Sequence, residues 1–239
     1  MKIFVAMLLA LSLSATAAAA SVEDDVGYYT KVFAEGGSFD AQAVKSLAWK
    51  GISDPRVFDL IEHHALAEAE QGHSDRHVRD EVGLYLRALG FSGQPKYLPT
   101  LQKFSTDKTY ERYARDAMEE LPEYQRWNPV IANRATFDPK YSDDVNRVLN
   151  MLHSDDFALK TLGAKRVYFQ DKDPVLLDTL AEQIRATYTI NDARSNTVAW
   201  MVKALGSAKQ DKYRPLLQQV AAGATNRAVI RHADKALEG

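Results

Sequence analysis

Two stretches of this 239-residue chain, 82–121 and 198–237, are copies of one another. Displaced by 116 residues, without a gap, they share 14 identities in 40 positions. Composition alone gives roughly two or three for unrelated segments of that length. The heart of the match reads ALGFSGQPKYLPTLQ from Ala88 to Gln102 and ALGSAKQDKYRPLLQ from Ala204 to Gln218. Each unit of such a chain buries its apolar face only by stacking on a neighbour. The duplication therefore restricts the fold to an array, and narrows function to a surface that holds something.

The repeated unit reads as helices throughout. Runs of alternating Val, Ile and Thr are missing, as are Asn-Gly and Asp-Gly hairpin turns. Asp54-Pro55 and Asp173-Pro174 each open a helix, with proline at the first position, where its missing N–H costs nothing. Ser74 is placed to cap a helix that runs to Leu89, with Gly90 ending it and Gly206 ending its counterpart. The Asp-Pro segments also align, now at an offset of 119, so a block near 40–121 recurs near 157–237. Each block accommodates five helices, and further helices at 22–35 and 140–153 bring the total to about twelve. Leu86, Leu89, Leu98, Leu101 and Phe104 fall on one side of two antiparallel helices, with Leu217 equivalent to Leu101. Pro99 and Pro215 sit in the first turn of a helix, where they set its approach angle.

This pattern resembles the HEAT repeats, in particular the bacterial HEAT-like type of the phycobilisome lyases. The matching residues are Ala88-Leu89-Gly90, Gly93, Pro95, Tyr97, Pro99 and Leu101, then Ala204-Leu205-Gly206, Asp211, Tyr213, Pro215 and Leu217. Tyr113–Ala117 and Val229–Ala233 resemble the opening of the helix that follows. The resemblance implies an all-α, right-handed α-solenoid of antiparallel helix pairs, about twelve helices in two duplicated halves, 21–121 and 140–239. Segment 122–139 fits no repeat.

Residues 1–20 read as a signal peptide: Lys2, an apolar run from Ile3 to Leu13, and Ala18-Ala19-Ala20 before a cut after Ala20. A periplasmic or secreted protein of 219 residues is expected, with no membrane association after cleavage. The chain has no cysteine, which removes thiolate nucleophiles and zinc–thiolate sites from consideration. Net charge is −2 for the whole chain, without the basic excess of a general nucleic-acid binder.

Candidate sites are few. His63, His64, His73 and His77 lie within 62–81 among several acids, and His73 and His77 are four apart, the spacing of a shared helical face. Gly72 and Ser74 place His73 ahead of a helix start, and no His-Glu-x-x-His signature is present, so a solvated loop outweighs a metal site and no cofactor is implied. Segment 122–139 carries three prolines together with Tyr124, Arg126, Trp127 and Phe137, and reads as an irregular loop. It is either a structural joint between the halves or a recognition loop presenting Arg126 and Trp127. In HEAT-like pairs the second helix usually lines the inner curve, which nominates Lys96, Gln102 and Lys103, then Lys212, Gln218 and Gln219, as contacts for an extended partner. Acidic pairs such as Asp143-Asp144 suit helix starts without invoking chemistry. The leading expectation is an exported, non-catalytic scaffold that binds a protein or peptide on its concave face or joint loop. The alternatives are an enzyme or lyase-like accessory with a pocket near the 62–81 histidines, and a metal-binding protein.

Overall fold

The computed structural model describes residues 22–34, 39–170 and 172–238; the leader expected at 1–20 lies outside the described residues. Among the described residues there are twelve α-helices and no strand. The first half comprises α1 (Val22–Val32), α2 (Ala41–Lys50), α3 (Pro55–Gly72), α4 (Arg76–Phe91), α5 (Leu98–Ser105) and α6 (Glu111–Ile131). The second comprises α7 (Asp143–His153), α8 (Phe157–Phe169), α9 (Pro174–Thr187), α10 (Ser195–Ser207), α11 (Arg214–Gly223) and α12 (Arg227–Glu238). Each repeated block thus holds five helices, preceded by one extra, as the duplication implies.

Local signals account for most boundaries. Asp54 and Asp173 accept main-chain hydrogen bonds as N-caps, each followed by proline. Asp75, one residue after Ser74, caps α4. Gly90 and Gly206 do not end helices; they lie inside α4 and α10, where those helices meet their neighbours. A Cβ on Gly90 would come within 2.7 Å of the Ala117 carbonyl oxygen, and one on Gly206 would collide with the Ala236 methyl. Close approach, not termination, is what these glycines provide.

The helices form two layers. α3 packs on α4, α5 on α6, α7 on α8, α9 on α10 and α11 on α12, which pairs an odd-numbered helix with the even-numbered one after it. Even-numbered helices also crowd one another, α4 against α6, and α10 against both α8 and α12. In the odd-numbered layer the short turns ahead of α5 and α11 reach α3 and α9 through the long side chains of Lys96 and Lys212. Within each half the even-numbered helices thus lie closer together than the odd-numbered ones; the even-numbered helices are called the inner layer and the odd-numbered ones the outer layer.

The segment expected as an irregular loop is largely helix. α6 runs unbroken over 21 residues with Pro122 and Pro129 inside it, so only 132–142 is irregular. Each proline removes one main-chain donor. Both rings lie on the exposed side, while Leu121, Tyr124, Asn128 and Ile131 form a buried stripe at helical spacing. Buried Asn128 Nδ2 donates to Ser53 Oγ at 2.9 Å and to the Phe91 carbonyl at 2.9 Å, tying the α6 end to the α2–α3 loop and to the end of α4. The remaining loop is pinned by Asn146 and Asn150, whose amides donate to the carbonyls of Asp138 and Asn133.

Each half has its own core, one running from Val26 to Tyr124 and one from Val145 to Ala233. Ile131, Met151 and Leu159 form a small cluster between them, flanked by Trp49, Trp127 and Leu162.

Candidate functional site

The two halves meet at a charged seam. Arg147, 3% exposed, pairs with Asp25 from the far end of the chain and, at 2.9 Å, with Asp144. Lys50 reaches Asp144 at 2.6 Å, and Arg134 reaches Asp143 at 2.6 Å. Burial pushes the Asp144 carboxyl up, but the Lys50 hydrogen bond and the Lys50 and Arg147 charges outweigh it, leaving it below the ordinary aspartate range. A cavity of about 350 Å³ opens beside this network, walled by Tyr28, Ser46, Trp49, Lys50, Asp144 and Arg166. Its cations are already engaged: Lys50 with Asp144, and Arg166 with Asp144 at 4.0 Å and with the Trp49 ring at 5.0 Å. The arrangement holds the halves together.

Several residues nominated by the sequence take part in internal ties. Trp127 is half-buried, with Nε1–H donating to Asp156 Oδ2 at 2.8 Å and its ring edge-on to Tyr124. Arg126 pairs with Glu123 and lies 4.0 Å from Asp156. Both therefore connect α6 to the start of α8. Lys96 Nζ pairs with Asp59 at 2.7 Å, and Tyr97 donates its phenol to the same oxygen at 2.7 Å. In the second half Lys212 and Tyr213 make the same two contacts to Asp178, at 2.9 and 2.8 Å. The lysines conserved between the copies thus belong to a duplicated lock between neighbouring outer helices. Gln102, Lys103, Gln218 and Gln219 are exposed, but on α5 and α11 of the outer layer, because α5 pairs with α6 and not with α4. The inner-curve assignment of these side chains is corrected by that pairing.

The histidines do not converge. His64 stacks on Tyr85 and bonds to Glu68 and the Phe33 carbonyl. His73, at the end of α3, pairs with Asp107, whereas His77, on α4, pairs with Glu81. Among the described residues no group of three or more His, Asp or Glu side chains is arranged to hold a metal ion, nor is any helix long and apolar enough to cross a membrane.

The inner layer carries the feature that sequence reasoning missed. Tyr168 and Phe169 at the end of α8 and Trp200 on α10 form an aromatic cluster, with centroids 4.8 to 6.3 Å apart. Phe169 is 64% exposed, the most exposed of the large apolar side chains described. Lys203 Nζ sits 4.3 Å from the Tyr168 ring centroid and 4.2 Å from that of Trp200, and Lys165 Nζ lies 5.2 Å from the latter. His232 on α12 lies beyond; burial, then the charges of Arg231, Lys203 and Lys235, hold its imidazole below the ordinary histidine range. A signal was available: the Tyr168-Phe169 pair follows the buried stripe of α8 directly, so its second ring cannot also face the core.

No family model matches the chain, and no curated protein does. Among solved structures, human deoxyhypusine hydroxylase in complex with glycerol aligns over 89% of this chain and 83% of its own, at 17% identity and a TM-score of 0.39.

Proposed function

We propose that this protein is a HEAT-like helical scaffold, without catalytic chemistry of its own, that holds a protein or peptide partner against its inner layer. The observation that carries the reading is the open cluster of Tyr168, Phe169 and Trp200 on that layer. An exposed aromatic side chain set among half-buried rings and cations has the composition of a binding hot spot. The seam and the outer-layer locks supply the rigidity such a platform needs. The leader-like residues 1–20 support a place of work in the periplasm or outside the cell.

The test is a quantitative capture experiment with the mature protein and a Phe169→Ala variant in periplasmic extract. Partners retained by the first and lost from the second, at unchanged melting temperature, support the reading. An identical set of captured proteins from both would remove the inner-layer cluster as the docking site.

A further inference from the structure

The two copies differ where they face the inner side, and the difference describes the partner. In the gap-free register Leu84 corresponds to Trp200, Arg87 to Lys203 and Glu120 to Ala236. In the first half Arg87 on α4 pairs across to Glu120 on α6 at 3.3 Å, closing the cation within the molecule. The second half keeps the cation, has a methyl at the position of the carboxylate, and puts an indole where the first has leucine. Lys203 and Lys165 rest on aromatic rings, and among the described residues neither has a carboxylate within ion-pair distance. Lys50, Lys96 and Lys212, by contrast, each have an aspartate within 3 Å. A ring face attracts the ammonium charge but accepts no conventional hydrogen bond, so the N–H donors stay open to a carboxylate.

We infer that the partner held at this face is an acidic segment of a protein, bound in extended form across α8, α10 and α12. Its carboxylates would complete the ion pairs that Lys165 and Lys203 lack, and an apolar side chain would cover Phe169. The inference rests on the scaffold reading above and adds the chemistry of what is held. At helix spacings of 8–10 Å, three neighbouring helices cover about 20 Å, the length of roughly six extended residues. Charge-assisted pairs to ammonium groups positioned over rings then give the segment its specificity. On α12 the exposed Arg231 and Lys235 alternate with the exposed Asp234 and Glu238, so the cationic part of the face centres on Lys165 and Lys203.

The experiment uses the full mature protein and labelled peptides of about twelve residues built on Asp-Asp-Phe, with an Asn-Asn-Phe twin, read by fluorescence anisotropy. The acidic peptide is expected to bind roughly tenfold tighter than its amide twin, with the preference shrinking as salt is added. Lys165→Glu/Lys203→Glu should abolish that preference at unchanged melting temperature, whereas Phe169→Ala should weaken both peptides. Equal binding of the two peptides, still sensitive to Phe169→Ala, would overturn the acidic partner and leave the docking surface standing. Binding of neither peptide would overturn the inference as well. Tight capture of phosphatidylglycerol vesicles that is lost in the lysine variant, with no gain for the acidic peptide, would reassign the face to an anionic membrane surface and overturn it too.

Discussion

The outer layers of the two halves are near-replicas, and their inner layers are not. On the outside, Asp59 with Lys96 and Tyr97 repeats as Asp178 with Lys212 and Tyr213, down to which oxygen is shared. On the inside, a paired Arg87 and Glu120 in one half stand against Lys203 on the half-buried rings of Tyr168 and Trp200 in the other. What the duplication preserved is the contact that stacks one helix pair on the next, because every copy must make it. Where the copies differ, at Arg87 and Glu120 against Lys203 and Ala236, the inner helices still pack through the Ala88-Leu89-Gly90 and Ala204-Leu205-Gly206 positions that both copies keep. Identity between copies therefore marks structure here, and divergence marks the candidate site. Lys96 and Lys212, which the sequence nominates as partner contacts, are the residues that make this repeated internal pair.

That comparison can be broken at graded cost. The largest effect is expected at the seam, which no repeat encodes: Arg147→Met leaves Asp25, Asp143 and Asp144 without their shared cation and should cost roughly 3–5 kcal/mol in a denaturant melt. Leu101→Ala and Leu217→Ala should each cost about 2–5 kcal/mol, and by similar amounts, because both side chains are buried at equivalent positions. A loss at one and none at the other would refute the equivalence of the halves.

The locks are smaller. Tyr97→Phe and Tyr213→Phe each remove a phenol hydrogen bond to an aspartate and should cost about 1 kcal/mol apiece near neutral pH. The Lys212 and Tyr213 hydrogen bonds hold Asp178 below the ordinary aspartate range; for Asp59 the bonds from Lys96 and Tyr97 do so against its burial. A carboxyl whose folded pKa is depressed contributes stability above its unfolded pKa and loses it as the pH falls through the folded one. Acid titrations of the two phenylalanine variants should therefore converge on wild type at the acid end. The smallest effect is expected on the inner face: Lys203→Gln should cost about 0.5–1 kcal/mol, since the lysine has no carboxylate to lose and gives up only its contacts with the Tyr168 and Trp200 rings. His232 supplies a companion measurement. Its lowered pKa means stability falls as the pH drops from its unfolded value toward the folded one, and His232→Gln should flatten that slope.

The sequence by itself determined the helical class, the number of helices, the two halves and the buried face of the repeated unit. These rest on local signals: the spacing of apolar residues along a helix, Asp-Pro starts at Asp54 and Asp173, and prolines tolerated in first turns. It also contained the stripe of Leu121, Tyr124, Asn128 and Ile131, but Pro122 and Pro129 read more loudly as breakers. Whether a proline ends a helix depends on whether burial on the opposite side outweighs a lost hydrogen bond, and burial is a property of the packed molecule. Only the tertiary structure decided that α5 pairs forward with α6, which layer is inner, and that Asp25 meets Arg147 across 122 residues of chain. Those choices follow from the fit of non-adjacent surfaces. Lys96 reads the same in sequence whether it faces a partner or Asp59, and a lysine on an aromatic ring reads the same as one in an ion pair. The difference lies in what stands within four ångströms of the ammonium, which the fold alone supplies.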